Sequence, residues 1–538
     1  MTSPGISRRS LLLGTAAAGA LATGLVAVDV RTAHAAAVSS DPFKLGVASG
    51  DPLPNAVVLW TRLVNDPLNA ASLPPLSVPV SWQVAADAHF SRVVRSGVAI
   101  ASPKLAHSVH VDVRGLEPGR DYWYRFRAAN QLSPVGRTRT APAPWARTTA
   151  LRLAAVNCQD WQNGYWPAYT GLATEDLDAV LHLGDYIYEY DPKSFFTDRL
   201  HTTPQTPGLD QLRTLADYRA RHAQYKTDPA LQAAHAAFPW MVVWDDHEVE
   251  NNYANLVDEL GDAGARYQGP NVFAAQRAAA YQAYYEHMPL RRAINPGSPS
   301  YRLYRRFDFG TLARINLLDT RQYRTDQPAG IASDFGTVAA GLGNASGTLT
   351  GSAQDQWLDA GLTGSNARWN VIAQQVMMSQ IRFPNFLDAA HPLPPIANLD
   401  QWDGYDPART RLLKFLAARK VPNPVVLAGD IHSSWFSDLR INRDDLTSKP
   451  VAVEFTATSI SSDFPAAFDA PLKQANPTLN PHVRYFDGSV HGYLRFDINR
   501  ERWLTQARTV ASIATRQSPV TTTASWATVA GSPGLILG

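Results

Sequence analysis

Four short stretches of this 538-residue chain carry residue types that bind metal ions. "NCQDW" offers Asn157, Cys158 and Asp160, and "LGDYIYEY" offers Asp185, Tyr188 and Glu189. "WDDHEVENNY" offers Asp245, Asp246, His247, Glu248, Asn251 and Asn252, and "AGDIHSS" offers Asp430 and His432. Each follows an apolar run. Taken singly, an aspartate after a strand is most often a turn former or a helix cap. Tyr188 alone reads as a packed aromatic, and Cys158 as a small buried hydrophobe. Taken together the stretches read differently. Strand C-termini in an open α/β sheet converge on one crevice, so residues distant in sequence meet there. Thiolate and phenolate are strongly donating anions that suit Fe(III), whereas carboxylate and amide oxygens suit a hard ion such as Ca(II). The donor types point to mixed metals and leave zinc and manganese open.

Cys158 is the only cysteine. Its meaning depends on the compartment. The N-terminus, "ISRRSLLLGTAAAGALATGLVAVDVRTAHAAA", sets Arg8 and Arg9 before a weakly apolar run and ends in the small residues Ala33 to Ala35. This order is that of a twin-arginine export signal over residues 1–35, with the export machinery as partner and a secreted mature chain. A transmembrane anchor fits less well, because Gly and Ala dominate the run and a cleavage site ends it. No second stretch is long and apolar enough to span a bilayer. A secreted chain with one cysteine forms no internal disulfide. Cys158 is then a buried thiol, an intermolecular link, a nucleophile or a metal ligand, and a metal-held thiolate is protected from oxidation.

The elements that must position these residues are legible as a change of pattern. Residues 40–140 read as an all-β sandwich. "LEPGRDYWY" places Leu116, Pro118, Tyr122 and Tyr124 in the spacing of a fibronectin-type tyrosine corner. "APAPWARTT" is a linker. From 150 to 510, apolar strands alternate with helical stretches such as "LADYRARHAQYKTDPALQAAHAAF", the pattern of a layered α/β domain whose strands are buried on both faces. "GYLRFDINRERWLTQART" reads as a hairpin turning at Asn499 and Arg500, and residues 511–538 form a C-terminal segment. Lys and Arg number 49 against 47 Asp and Glu, a net charge of +2. That balance speaks against a nucleic-acid partner or a polybasic membrane surface.

The four motifs resemble those of the metallophosphoesterase superfamily. With "LDTRQYRTDQP" added, they resemble more closely the PhoD-type alkaline phosphatases, a likeness that runs over nearly the whole mature chain and includes the export signal and the leading β-sandwich. The resemblance implies a β-sandwich core flanked by helices, preceded by the small fibronectin-like domain. It implies Cys158 as a thiolate on Fe(III), Asp185 as the bridging carboxylate and Tyr188 as a tyrosinate on the iron. Asp246, Asp430 and His432 complete the metal ligands, with Ca(II) as the companion ion. His247 takes the place near the leaving group, and Asn251 and Asn252 are candidate oxygen ligands or phosphate contacts. The reaction implied is hydrolysis of a phosphate ester by a metal-bound hydroxide or oxide. Arg321 is a candidate for holding a phosphate oxygen, with structural pairing to Asp319 as the alternative.

A phospholipase D of actinobacterial type is similar to the same family, so a diester or phospholipid substrate stands beside the monoester. Two other classes compete: an extracellular binding protein with structural metals, and an enzyme using Cys158 as nucleophile. Ser433 and Ser434 lack the surroundings of a nucleophilic serine.

Overall fold

The structure, a computed structural model, describes residues 41–69, 72–190, 199–200, 211–258, 269–328, 335–385 and 393–538. The expected export signal lies outside them. Two large sheets form the centre. In the first, of ten strands, Ala150–Val156, Ala179–His182, Pro239–Val242 and Val47–Leu53 run parallel and adjacent. In the second, of seven strands, Ala313–Leu317, Trp369–Ala373, Pro424–Ala428 and Ala452–Thr456 do the same. These are the apolar runs of the sequence. Parallel strands covered on both faces need apolar residues at every position rather than at alternate ones. Leu153 and Leu181 of the first sheet share one core with Val371, Leu427 and Phe455 of the second.

Helices cover the outside. Gly351–Thr363 and Asp406–Arg419 set Leu358, Leu362, Leu412 and Leu416 against Ile372 and Val426 of the second sheet. Pro167–Leu172, Leu215–Tyr225, Pro229–Ala237 and Pro270–His287 pack on the first. The expected long helix after Leu215 is two helices. Asp228 caps the second through Oδ1, which accepts from Leu231 N at 2.9 Å, and Pro229 occupies its first turn.

The leading β region has its own core, with Val57, Leu59, Val80, Tyr124 and Phe126. Its tyrosine corner is present: Tyr122 Oη accepts from Glu117 N at 2.9 Å. One of its layers is shared with the larger fold. Val47–Leu53 pairs in parallel with Pro239–Val242, so Ala56–Arg62 and Ser108–Arg114 extend the ten-stranded sheet. At the other edge, His491–Asn499 and Arg502–Val510 form the expected hairpin, its turn closed by Asn499 Oδ1 accepting from Glu501 N and Arg502 N. Val520–Val529 and Ser532–Leu537 continue that edge, and Leu535 N donates to Asp438 Oδ1 of the second sheet at 2.9 Å. The C-terminal segment therefore ties the two sheets together at their rim.

A basic cluster lies under the helices of the first sheet. Lys226 is buried, donates to Tyr186 Oη at 3.0 Å, and sits 4.5 Å over the Trp60 ring. No carboxylate among the described residues forms an ion pair with it. Around it are His235, whose Nε2 is 2.8 Å from Tyr186 Oη, and His222, stacked on His287 at 5.0 Å. Neither ring nitrogen of His222 has a hydrogen-bond partner, and His287 Nε2 is 2.7 Å from Arg62 Nη1. Burial pushes Lys226 down to about 7 and His182 to about 3, and holds His222, His235 and His287 well below the usual histidine range.

The sign of the pH dependence follows. Folded Lys226 gives up its proton near 7, unfolded lysine only near 10.5, so the folded state gains on the unfolded one as pH rises through that window. The histidines add a gain as pH rises toward the ordinary histidine value. Below neutrality that gain is opposed by Glu248, Asp403 and Glu454, each raised to about 7 by burial, so the thermal midpoint is expected to climb above neutrality, from about pH 7 to about pH 9. Lys226→Met should flatten that climb. An unchanged slope in the variant would assign the climb to other groups.

Candidate metal centre

The loops that leave the parallel strands of both sheets meet at one edge and are laced together. Cys158 N donates to Gly184 O at 3.2 Å, and Gln159 N to Asp185 O at 3.1 Å. Ile460 N donates to Asn157 O at 3.0 Å across the two sheets. Two glycines permit the approach. A Cβ on Gly184, whose φ is +113°, would stand 2.4 Å from Asp245 Cβ, and one on Gly429 would stand 2.0 Å from Asn157 Nδ2. The glycine of each Gly-Asp pair thus lets its loop pass against another ligand-bearing loop. The residue after each glycine is left-handed: φ is +55° at Asp185 and +65° at Asp430. Cys158 (+52°) and His432 (+56°) share that conformation. Such backbone costs of order 1–3 kcal/mol per residue and persists where the surroundings over-determine it, as at ligand clamps.

The side chains converge in three overlapping groups. Cys158, Asp185 and His432 bring one donor atom each within 4.8 Å of one another, as do Asp185, Asp246 and His247, and Asp245, Asp246 and Asp430. Cys158 Sγ donates to Asp185 Oδ2 at 3.2 Å, and Tyr188 Oη to the same oxygen at 3.2 Å. Ser462 Oγ donates to Tyr188 Oη at 2.6 Å. His432 Nδ1 lies 3.0 Å from Asp463 O, where it can only donate, which leaves the Nε2 lone pair facing Tyr188 Oη at 3.1 Å. Asp185 Oδ1 is buried and has no hydrogen-bond partner. A buried carboxylate oxygen without a donor fits a bound cation. Thiol, phenol, imidazole and carboxylates around it are a ligand set suited to one.

Charge at the site is strongly one-sided. Burial, and then the Asp185 and Asp430 carboxylates, hold the Cys158 thiol well above its usual range. Burial and Asp185 do the same to Tyr188. Burial raises Asp185 and Asp245 as well, against the opposing charges of His247 and Arg321 respectively. Burial would also raise Asp246, but Arg321 and His247 hold it below the usual carboxylate range. His432 is pushed down to about 4 by burial. Burial opposes the charged form of His247, yet Glu189, Asp246 and Asp185 together keep it well above the usual histidine range. Glu189 Oε2 meets His247 Nδ1 at 2.7 Å, and Glu189 Oε1 accepts from Asn251 N at 2.8 Å. The His247 ring lies against Tyr188, centroids 4.1 Å apart.

A cleft of about 190 Å³ opens on this edge. Asp185, Asp246, His247, Asn251, Asn252, Asp430 and His432 line it, and Cys158 and Tyr188 lie beneath. Arg321 is a correction to the sequence reading. It does not line the cleft, and its guanidinium has no exposed surface. It is enclosed by Asp245, by Asp246 at 3.4 Å, by Asp400 at 2.8 Å and by Asp430 at 3.0 Å. Four buried carboxylates need a shared counter-charge, and a bare guanidinium edge for phosphate is no longer left. Asp319 is not its ion-pair partner, because that carboxylate accepts from the Arg321 and Gln322 backbone amides instead.

Two contributors, Asp400 and Gln401, were missed in sequence, and a third, Glu248, was read there only among the metal-binding types. Glu248 accepts from Asp185 N at 3.1 Å, Tyr186 N at 2.6 Å and Asp245 N at 2.8 Å, and burial raises it to about 7. In the fold it braces backbone amides of the ligand-type loops. Asp400 takes Arg321 and also Arg324, at 2.6 Å. Gln401 Nε2 donates to Asp430 Oδ2. Neither Asp400 nor Gln401 follows a strand of the large sheets, so nothing marked them.

Comparison with known proteins adds a family. Residues 153–507 match the family model described as PhoD-like phosphatase, and residues 29–142 match that of the PhoD-like phosphatase N-terminal domain. Alkaline phosphatase D of Bacillus subtilis (strain 168) is 44% identical over 530 residues, covering 96% of this chain and 87% of that protein. A solved structure titled "Structure of PhoD" superposes with a TM-score of 0.83 at 44% identity, over 93% of this chain and 92% of that one.

Removing Arg321 tests the charge balance directly. Arg321→Met leaves Asp245, Asp246, Asp400 and Asp430 without their common cation and should cost about 3–5 kcal/mol in the unfolding of chelator-treated protein. Added divalent cations should recover part of the loss. A cost below about 1 kcal/mol would show that the carboxylates tolerate one another without it.

Proposed function

The chain belongs to the PhoD-like phosphatase family, and from that premise we propose that it is a secreted, metal-dependent alkaline phosphatase releasing inorganic phosphate mainly from phosphomonoesters. That it is a phosphoric ester hydrolase follows from the family, and the binding-protein alternative falls with it. The observation that carries the metal-dependent reading is the buried Asp185 carboxylate, flanked by Cys158, Tyr188 and Asp246 with one oxygen lacking a donor. Cys158, Tyr188, Asp185 and His432 are the set for an Fe(III) ion, and Asp246, Asp430 and the oxygen donors of Asn251 or Asn252 the set for Ca(II). When bound, such cations supply positive charge to the phosphoryl oxygens and lower the pKa of a coordinated water.

The chain's own residues do the rest. Glu189 engages Nδ1 of His247, so the imidazole turns Nε2 to the cleft. The surrounding carboxylates keep that ring protonated, the form needed to donate to a departing alkoxide. Arg321 contributes by holding Asp245, Asp246, Asp400 and Asp430 in register, which makes it a positioning residue. Glu248 fixes the amides of Asp185 and Asp245. Export through the twin-arginine route is supported by Arg8 and Arg9. Among the described residues no helix is long and apolar enough to cross a membrane.

Three measurements test this reading. Elemental analysis and the visible spectrum of the wild type should show iron, calcium and a charge-transfer band, with the band and the activity lost in Cys158→Ala. A colourless, iron-free, active wild type would remove Fe(III) and give Cys158 back to the core. Turnover of a monoester, a bis-aryl phosphodiester and phosphatidylcholine should rank in that order, and a strong preference for the lipid would overturn the monoester assignment. His247→Gln should lower kcat about 10²-fold or more for alkyl esters, and less for p-nitrophenyl phosphate, whose leaving group needs no proton. Equal losses on both would deny His247 the acid's role.

A further inference from the structure

The cleft has two unlike halves. The polar half is the ligand cluster. The other half is a wall of Phe335, Phe383, Phe464, Phe468 and Ile431. Phe335 and Phe383 come from the short strands Phe335–Thr337 and Phe383–Asn385, which flank Leu393–Asn398 in a separate three-stranded sheet. Their rings meet edge to face at 5.2 Å, and Phe335 lies 6.5 Å from Phe468 in the first turns of helix Ala466–Leu479. Met377, Trp435 and Leu472 back the wall from behind.

The wall is built into the ligand loops. Ile431 sits between Asp430 and His432, and Phe464 follows Asp463, whose carbonyl accepts from His432 Nδ1. Phe335, Phe468 and Ile431 remain partly exposed at the cleft. Apolar surface left in water costs about 25 cal/mol per Å². None of the roles given above to the polar half uses these rings. Their faces and edges suit packing against another apolar or aromatic group.

We propose that this wall receives the alcohol portion of the ester, so that the enzyme selects phosphate esters of aromatic or other apolar alcohols over those of polyols. The phosphoryl group lies among the ligands while the alcohol lies against Phe335 and Phe468. The proposal rests on the phosphatase reading and adds a substrate class to it.

The test is the ratio of kcat/KM for 1-naphthyl phosphate to that for glycerol 3-phosphate, measured on the metal-loaded full-length enzyme, Phe335→Ala and Phe468→Ala. Leaving-group reactivity is common to all three proteins and cancels between them. Partial misfolding cancels too, because both rates scale with the same active fraction. The ratio should fall about tenfold in each variant, mainly through KM for the naphthyl ester. Inhibition by 1-naphthylphosphonate should weaken by a similar factor relative to inorganic phosphate, and Phe468→Leu should fall between wild type and Phe468→Ala. A ratio that stays within about twofold in both alanine variants overturns the role of the wall alone. A wild type that hydrolyses neither monoester overturns the phosphatase reading and this proposal with it.

Discussion

The architecture of the site depends on one charge problem and its solution. Asp245, Asp246, Asp400 and Asp430 are brought together at the meeting edge of two sheets, where water is largely excluded. Like charges in such surroundings repel more strongly than in water, and desolvation penalises each one separately. Arg321 offsets both effects because its planar guanidinium presents donors in several directions at once. A lysine would present a single point charge. Arg324 adds a second cation on Asp400 alone. The carboxylates are therefore poised before any metal arrives, and what is left unsatisfied, Asp185 Oδ1 above all, is what a cation would satisfy.

The fold provides that meeting edge. Parallel strands all end on the same side, and with two parallel-cored sheets face to face both sets of C-terminal loops reach one line. The loops do not hang free. Glu248 holds three of their amides on the first sheet, and Glu454 accepts from Met378 N at 2.7 Å and Ser379 N at 2.6 Å on the second. Buried glutamates serve here as connectors between loops, each raised to about 7 by burial. This bracing lets Cys158, Asp185, Asp430 and His432 keep a left-handed backbone that short polar loops would otherwise relax.

Much of this was legible in the sequence, and the limits are physical. Continuous apolar runs identified the central strands because burial on both faces leaves a strong mark, and the candidate ligands stood out because each follows such a run directly. Tyr122 was legible because a tyrosine corner is local. Partners chosen across the fold were not. Arg321 stands two residues from Asp319 in sequence, yet its guanidinium reaches Asp245, Asp246, Asp400 and Asp430 instead. Val47–Leu53 reads as part of the leading β region, and only long-range pairing with Pro239–Val242 joins it to the ten-stranded sheet. Phe335, Phe383 and Phe468 each look like ordinary core residues until three separate segments place them on one wall.

The candidate ligands and His247 are also less separable than their motifs suggest. Tyr188 touches Asp185, His432 and Ser462 through its hydroxyl and supports the His247 ring with its face. Glu189, one residue along, orients that same imidazole. One loop therefore sets both Asp185 and Tyr188 of the candidate metal cluster and the direction of the His247 ring. Loss of the phenol and loss of the imidazole cannot contribute independently, because groups that share a partner couple rather than add. Spacing alone presents "GDYIYEY" as a string of ligand types. Folded, its side chains diverge: Asp185 toward the candidate ligand cluster, Tyr186 into the basic cluster beneath the sheet, Tyr188 between Asp185 and His247, and Glu189 behind His247.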